Sequence, residues 1–345
     1  MSLHTEIFEQ PERLNALLSL QRGNVEKIAR EIKSRDIRSV YLAARGTSDN
    51  AGRYANYLLG AFNQLPVTLA VPSLFTCYRQ PPALRNTLIV GISQSGQSPD
   101  IVAVLDEGKR QGNLTLAITN IVESPLAKMA DFVLPLEVGP ELAVAATKTY
   151  TAELMALAML SAALSEDNAR WNELKQAGDW TKEALQSDEV ISIASQRYRY
   201  IQHCVILGRG YNYSTAFEWA LKLKELTYIV SEPFSSADFQ HGPLAMVTHG
   251  FPVFAVAPNG GVLDSMRATL ARIKNDLNAE LVVISNSPQA LKLAETGLAI
   301  SSQVPEWLSP IVCIAPAQLF SYHLTLAKGF NPDMPRTISK VTETS

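Results

Sequence analysis

Three groups of residues carry side chains whose types and spacing suit chemistry. The first, Ser93-Gln94-Ser95-Gly96-Gln97-Ser98, follows the apolar run Thr87–Ile92 and precedes Pro99-Asp100-Ile101-Val102. It reads as a strand, a hydroxyl-rich turn and a helix. Ser98 suits the N-cap, where its hydroxyl accepts from a first-turn N–H, and Pro99 suits the first helical position, where no N–H is missed. Serine hydroxyls, backbone N–H groups and the positive end of a helix dipole then converge into a seat for a phosphate. No Lys or Arg lies inside the loop, so the seat suits a phosphate monoester better than a triphosphate with its metal. A polar turn that only caps a helix accounts for the same residues.

The second group lies on Ser214–Tyr228, a segment of helical period. Glu218, Lys222 and Glu225 fall at i, i+4 and i+7 and share one face. An exposed helix laced with ion pairs is the alternative reading. Nearby, His241 precedes Gly242 and Pro243, a turn able to fix an imidazole. Histidine titrates near neutrality, which suits proton movement on a sugar, although a lone loop histidine also serves simply as an exposed side chain. The third group is the tail from Asn331, without helical or strand pattern, where Arg336 and Lys340 are placed to close over an anion or to fray.

These groups need a scaffold, and the chain has room for one. Its 345 residues suffice for two domains, and 47% hydrophobic with 18% charged residues is the composition of a folded chain rather than a disordered one. A net charge of −3 gives no footprint for nucleic acid or an anionic membrane, so neither is an expected partner. Cys77, Cys204 and Cys313 have no paired spacing and read as buried thiols of a reducing compartment. With no apolar leader, and with Leu154–Leu164 too short to span a bilayer, the expected location is the cytoplasm. No His/Asp/Cys cluster of metal-ligand spacing is visible, so neither metal nor cofactor is expected.

The scaffold repeats itself. Val40–Gly46 resembles Cys204–Gly210, 164 residues on; Leu88–Ile92 aligns with Pro252–Val256 at the same offset, and Leu116–Asn120 with Val282–Asn286 at 166. Three matching offsets argue for a duplicated domain. Each copy alternates apolar runs with helical segments, which implies parallel strands and right-handed crossovers. The join falls at Ser165–Asp188, read as a helical connector with Trp171 and Trp180 packed. Opposite Ser93–Ser98 the second copy has Ala257–Val262, without hydroxyls, so only the first copy can seat a phosphate this way.

In combination, Arg45-Gly46-Thr47-Ser48, Ser93-Gln94-Ser95-Gly96, Ala145-Ala146-Thr147-Lys148, Leu221-Lys222-Leu223-Lys224-Glu225 and His241-Gly242-Pro243 resemble the tandem sugar-isomerase (SIS) family. Specifically, they look like the isomerase half of glucosamine-6-phosphate synthase and its freestanding relatives, the SIS-type glucosamine-6-phosphate deaminases, and the ending at Lys340 looks more like the deaminases. The resemblance covers nearly the whole chain. It implies two tandem α/β domains, residues 1–175 and 176–330, each a flavodoxin-like αβα sandwich with a five-stranded parallel sheet, then an active-site tail over 331–345. It also implies phosphate and substrate binding by Ser93, Gln94, Ser95 and Ser98, with Thr47, Ser48 and Val144 near the sugar. Glu225 matches the base between C1 and C2, His241 the ring-opening group reaching into the neighbouring subunit of a homodimer, Lys340 the lysine on the open-chain sugar, and Lys222 a helper of the base. Gln97 departs from the acidic residue common in the synthases, and Ser98 from their Thr.

The expected substrate is therefore a hexose phosphate or amino-sugar phosphate. With no glutaminase segment ahead of the isomerase portion, the expected reaction is glucosamine 6-phosphate to fructose 6-phosphate plus ammonia. Aldose–ketose isomerisation and fructosamine-6-phosphate deglycation are the alternatives inside the family. A non-catalytic sugar-phosphate sensor is the alternative outside it; such a protein would carry a helix-turn-helix and a basic surface, and neither is apparent.

Overall fold

The apolar runs become strands in the order that their spacing predicts. The computed structural model describes residues 2–340, and the end of the tail, 341–345, lies outside them. Strands β1 (Ser39–Ala43), β2 (Val67–Leu69), β3 (Thr87–Ile92), β4 (Thr115–Thr119) and β5 (Phe132–Pro135) form one sheet in the order β2-β1-β3-β4-β5. Strands β6 (His203–Gly208), β7 (Val230–Ser235), β8 (Pro252–Val256), β9 (Glu280–Ser285) and β10 (Thr296–Ala299) form a second, in the order β10-β9-β8-β6-β7. Every ladder is parallel. The three segment pairs that repeat in sequence occupy equivalent places: β1 with β6, β3 with β8, β4 with β9.

Residues of β3, β4, β8 and β9 are buried throughout, which is why they read as unbroken Val/Ile/Leu/Ala runs rather than alternating ones. Two helices show the same property. Lys148–Ser165 is buried from Lys148 to Ala163, and Ser309–Ala327 is buried along most of its length. A helix hydrophobic all round belongs in a protein core. The span Glu306–Ala327 is long and apolar enough to cross a membrane by length and composition, yet 83% of its most apolar window is buried inside the protein.

The chain divides into two compact units. Residues 12–141, 148–176 and 339–340 form the one with the first sheet; residues 2–11, 142–147 and 177–338 form the one with the second. The expected connector is helical: Asn168–Leu174 starts from Asp167, whose carboxylate accepts from the N–H groups of Ala169 and Arg170, and Ala177–Leu185 follows. Trp171 and Trp180 are both buried, as expected. One expectation fails. Cys204 and Cys313 are buried thiols, with burial pushing both well up from the ordinary range, but Cys77 is exposed on a turn beyond the short helix Ser73–Thr76.

Candidate active site

In the first sheet the strand order reverses between β1 and β3, and the loops after those strands sit at the switch point where ligands of such sheets bind. The loop after β3 is Ser93–Ser98. It is braced from the next strand's loop: Asn120 N–H donates to the Gln94 carbonyl (3.1 Å), and Leu126 N–H to that of Gly96 (3.1 Å). Gly96 has φ +61°, and a Cβ there would lie 2.1 Å from Ser124 Oγ, so the turn requires glycine twice over. Ser93 Oγ accepts from Gly96 N–H (3.1 Å) and Ser95 Oγ from Gln97 N–H (3.3 Å), which fixes the curl.

Ser98 occupies the N-cap of helix Pro99–Arg110 with extended backbone, but its hydroxyl makes no capping bond. The expected cap is therefore corrected: the Ser98 carbonyl takes the Ile101 and Val102 N–H groups instead, at 3.2 and 3.1 Å. Among the described residues, the N–H groups of Gln94, Ser95 and Ser98 have no acceptor, and the Ser98 hydroxyl no partner. Those are four donors around one helix N-terminus.

The loop after β1 opens helix Gly46–Asn63. Thr47 lies in its first turn, and Ser48, buried, donates to Glu153 Oε1 at 2.7 Å. Arg45 Nε donates to Asp100 Oδ2 at 2.7 Å; the Asp100 side chain is 2% exposed and the guanidinium 52%. Thus a half-exposed cation stands beside the first turn of the phosphate-loop helix, although none lies within the loop. Lys340 Nζ is bonded to Glu141 Oε2 at 2.6 Å, and Glu141, wholly buried, also accepts from Thr149 N–H (3.1 Å) and Oγ1 (2.8 Å). The tail lysine is therefore seated on a carboxylate, and Arg336 of the tail stacks on Tyr228, 3.9 Å from the ring centroid.

In the unit with the second sheet, helix Tyr213–Thr227 carries the proposed base. The exposed-helix reading is overturned. Lys222 is 1% exposed and sits between Glu218 Oε1 (3.2 Å, 0% exposed) and Glu225 Oε2 (2.6 Å, 23% exposed). Burial alone pushes the Lys222 ammonium down, but the two carboxylates outweigh it and the net direction is up. One Glu225 oxygen is thus held by a permanent cation, while the other has no partner among the described residues. His241 is exposed on the turn between the helix Ser236–Phe239 and the 3-10 turn Pro243–Met246, and its ring has no hydrogen-bond partner among the described residues. Val144 is half-buried in a loop organised by Glu6, which takes the Leu142 and Ala143 N–H groups at 2.6 and 3.2 Å.

In the second unit the loop after β8 takes the same place in the sheet but its N–H is met by a side chain. Gly260 (φ +152°) lies where an added Cβ would meet the Glu306 carboxylate at 2.1 Å, and Gly261 N–H donates to Glu306 Oε2 at 2.8 Å. Sequence reading missed buried Glu141 and Glu6 and half-buried Glu306, because a carboxylate with a partner and one facing solvent look alike in a string of letters. It also missed a cluster. His4, Asp188 and His323, remote in sequence, place one ligand-type atom each within 4.8 Å of one another, so the expectation of no metal-ligating cluster is corrected.

Two doubly wound parallel halves, one with a serine loop of free N–H donors among the described residues and one with a buried carboxylate–ammonium helix, define a tandem α/β protein. The SIS domain matches at residues 34–163 and again at 199–328, and the chain belongs to that family. Its homologues are the isomerase halves of glutamine–fructose-6-phosphate aminotransferases. The isomerizing enzyme of Legionella pneumophila (strain Paris) is 35% identical over 347 residues, which is 97% of this chain and 57% of the relative. The chain therefore spans little more than half the length of such relatives. The C-terminal domain of the glucosamine–fructose-6-phosphate aminotransferase of Francisella tularensis is 30% identical, with a TM-score of 0.88 over 96% of this chain and 98% of that one. A glucosamine-6-phosphate deaminase of Thermotoga maritima, 21% identical, superposes with a TM-score of 0.78 over the whole of both chains and supports the fold.

Proposed function

We propose that this chain is a phosphosugar isomerase that works at C1 and C2 of a hexose 6-phosphate, and that it converts glucosamine 6-phosphate and water to fructose 6-phosphate and ammonia. The observation that carries the reading is the Glu225 carboxylate: one oxygen is held by buried Lys222 and the other has no partner among the described residues, on a chain whose Ser93–Ser98 loop offers donors without acceptors among those residues. The Ser93–Ser98 loop grips the phosphate, and that remote binding energy positions the reacting carbons. His241 exchanges the proton that opens the ring. Glu225 removes the C2 proton and returns it to C1, which leaves a ketimine at C2. Water then hydrolyses the ketimine, giving the ketose and ammonia. Lys222 stays charged throughout and holds the Glu225 carboxylate in place.

Thr47 and Ser48 in the first unit and Val144 and Lys340 at their loops complete the substrate contacts in this reading. Relatives whose names carry fructose 6-phosphate and isomerisation support the substrate class. His241, exposed and with no ring partner among the described residues, supports a homodimer in which it serves the neighbouring subunit, and the free thiols support a cytoplasmic setting.

Incubation of the purified protein with glucosamine 6-phosphate, with ammonia and fructose 6-phosphate measured together, tests the reaction. Equal yields of the two are expected. Absence of ammonia with solvent deuterium appearing at C1 or C2 of the sugar phosphate would leave the proton transfer and remove the deamination. Neither ammonia nor deuterium exchange would remove the enzyme.

A further inference from the structure

His4, Asp188 and His323 come from three segments of one unit: the first turn of helix Leu3–Ser34, the first residue of helix Asp188–Ser195, and the last turns of helix Ser309–Ala327. His4 Nε2 lies 3.1 Å from Asp188 Oδ2, and His323 Nε2 lies 2.7 Å from Asp188 Oδ1. Both carboxylate oxygens are thus engaged, each by the same ring nitrogen of a different histidine. The His4 ring is held between aromatic neighbours, 4.8 Å from Phe8 and 4.9 Å from Tyr322 by centroid. The next residue back, Leu3, is tied by its N–H to Asp333 Oδ1 at 2.6 Å, which adds a second carboxylate to this end of the helix. None of these residues has a part in the proposed reaction.

We propose that His4, Asp188 and His323 form a binding site for a divalent transition metal ion of the zinc class. Two imidazole nitrogens and one carboxylate oxygen suit zinc, cobalt(II) or nickel(II), whereas magnesium and calcium prefer oxygen alone. An ion with bonds of about 2.0–2.1 Å holds its ligands roughly 3.3 Å apart in a tetrahedron. Each histidine already stands near that spacing from its own Asp188 oxygen, 3.1 and 2.7 Å, and the three ligand-type atoms lie within 4.8 Å of one another, so the set must draw in around a single carboxylate oxygen. On binding, each imidazole carries its proton on Nδ1 and turns the Nε2 lone pair to the ion in place of its contact with Asp188. Side chains that are 33%, 30% and 12% exposed (His4, Asp188, His323) leave an entry path and a fourth position for water. The ion would clip the N-terminal turn to two helices of its unit, a structural role rather than a catalytic one.

The test uses the full chain, stripped with a chelator and titrated with zinc chloride by calorimetry. One ion per chain is expected, with a rise of a few degrees in the melting midpoint at saturation. Cobalt(II) in place of zinc should give the visible absorption of a low-coordinate N/O site. His4→Ala, on an accessible first turn, should weaken zinc binding at least tenfold, and His323→Gln likewise, whereas His249→Ala in an exposed turn should leave it unchanged. No binding by the wild-type chain, or a smaller loss in either cluster variant, overturns the site and leaves the three residues an ion-paired clip.

Discussion

The loop after β3 and the loop after β8 occupy the same place in two copies of one fold, and they have opposite chemistry. Ser93–Ser98 leaves the N–H groups of Gln94, Ser95 and Ser98 without acceptors among the described residues. Ala257–Val262 has lost the hydroxyls and gives its Gly261 N–H to Glu306. The neighbouring arginines diverge too: Arg45 holds buried Asp100, and Arg209 donates to the neutral Ser265 Oγ at 2.6 Å. A helix N-terminus wants an anion. One copy leaves that end open among the described residues, and the other meets it with its own carboxylate. The second copy's first helix instead carries the Glu218–Lys222–Glu225 triad, buried at Glu218 and Lys222 and partly exposed at Glu225.

The sharpest way to break this division is to remove one function from each half. Glu225→Gln should lower turnover by about 10²–10⁴-fold while sugar-phosphate affinity, measured by calorimetry, stays within a few fold; an equal loss of affinity would mean that the two roles are not separate. Lys222→Met leaves Glu218 buried without its cation and should cost roughly 3–5 kcal/mol of stability in urea unfolding. The pH dependence follows from the raised value of Lys222. Its contribution is fully present below the ordinary lysine value of 10.5 and is lost only as pH rises through the higher folded value, so unfolding between pH 7 and 10 should show no change from this group.

Smaller effects compare the loops directly. Gly96→Ala puts a methyl on the short Ser124 side chain in a left-handed turn and should raise KM at least tenfold with kcat less affected, whereas Gly260→Ala, which displaces the Glu306 side chain and strains a backbone of φ +152°, should cost stability and leave KM unchanged. Smallest of all, Glu306→Gln weakens one charge-assisted bond and should cost about 1 kcal/mol. Inorganic phosphate should still bind that variant at one site per chain. A second site would show that Glu306 alone, and not the missing hydroxyls, closes the second loop.

Most of the scaffold was legible because buried parallel strands announce themselves as continuous apolar runs, and duplication printed them twice at nearly the same offset, 164 to 166 residues. The Glu225 helix and the serine loop were legible for a related reason, since local spacing sets local geometry. What spacing cannot show is burial. Glu218 and Lys222 look like ordinary surface charges until the helix is packed, and Glu6 counts as N-terminal charge until its carboxylate is found holding the 142–143 backbone. Long-range pairs are invisible for the same reason: Lys340 with Glu141, and His4 with Asp188 and His323, meet only through tertiary folding.

The uniformly parallel ladders bear on how this chain reaches its native state. No neighbouring strands can zip together as a hairpin; each pair waits for a helix to form and carry the chain back across. Contacts of that sequence separation make for slow folding. Two sheets built in the same strand order from similar apolar strands, such as Leu88–Ile92 and Pro252–Val256, also invite mispairing between copies during folding. Refolding from urea should therefore be slow and lossy at high protein concentration. Synthesis from the N-terminus lowers that hazard, since the first copy can close before the second exists.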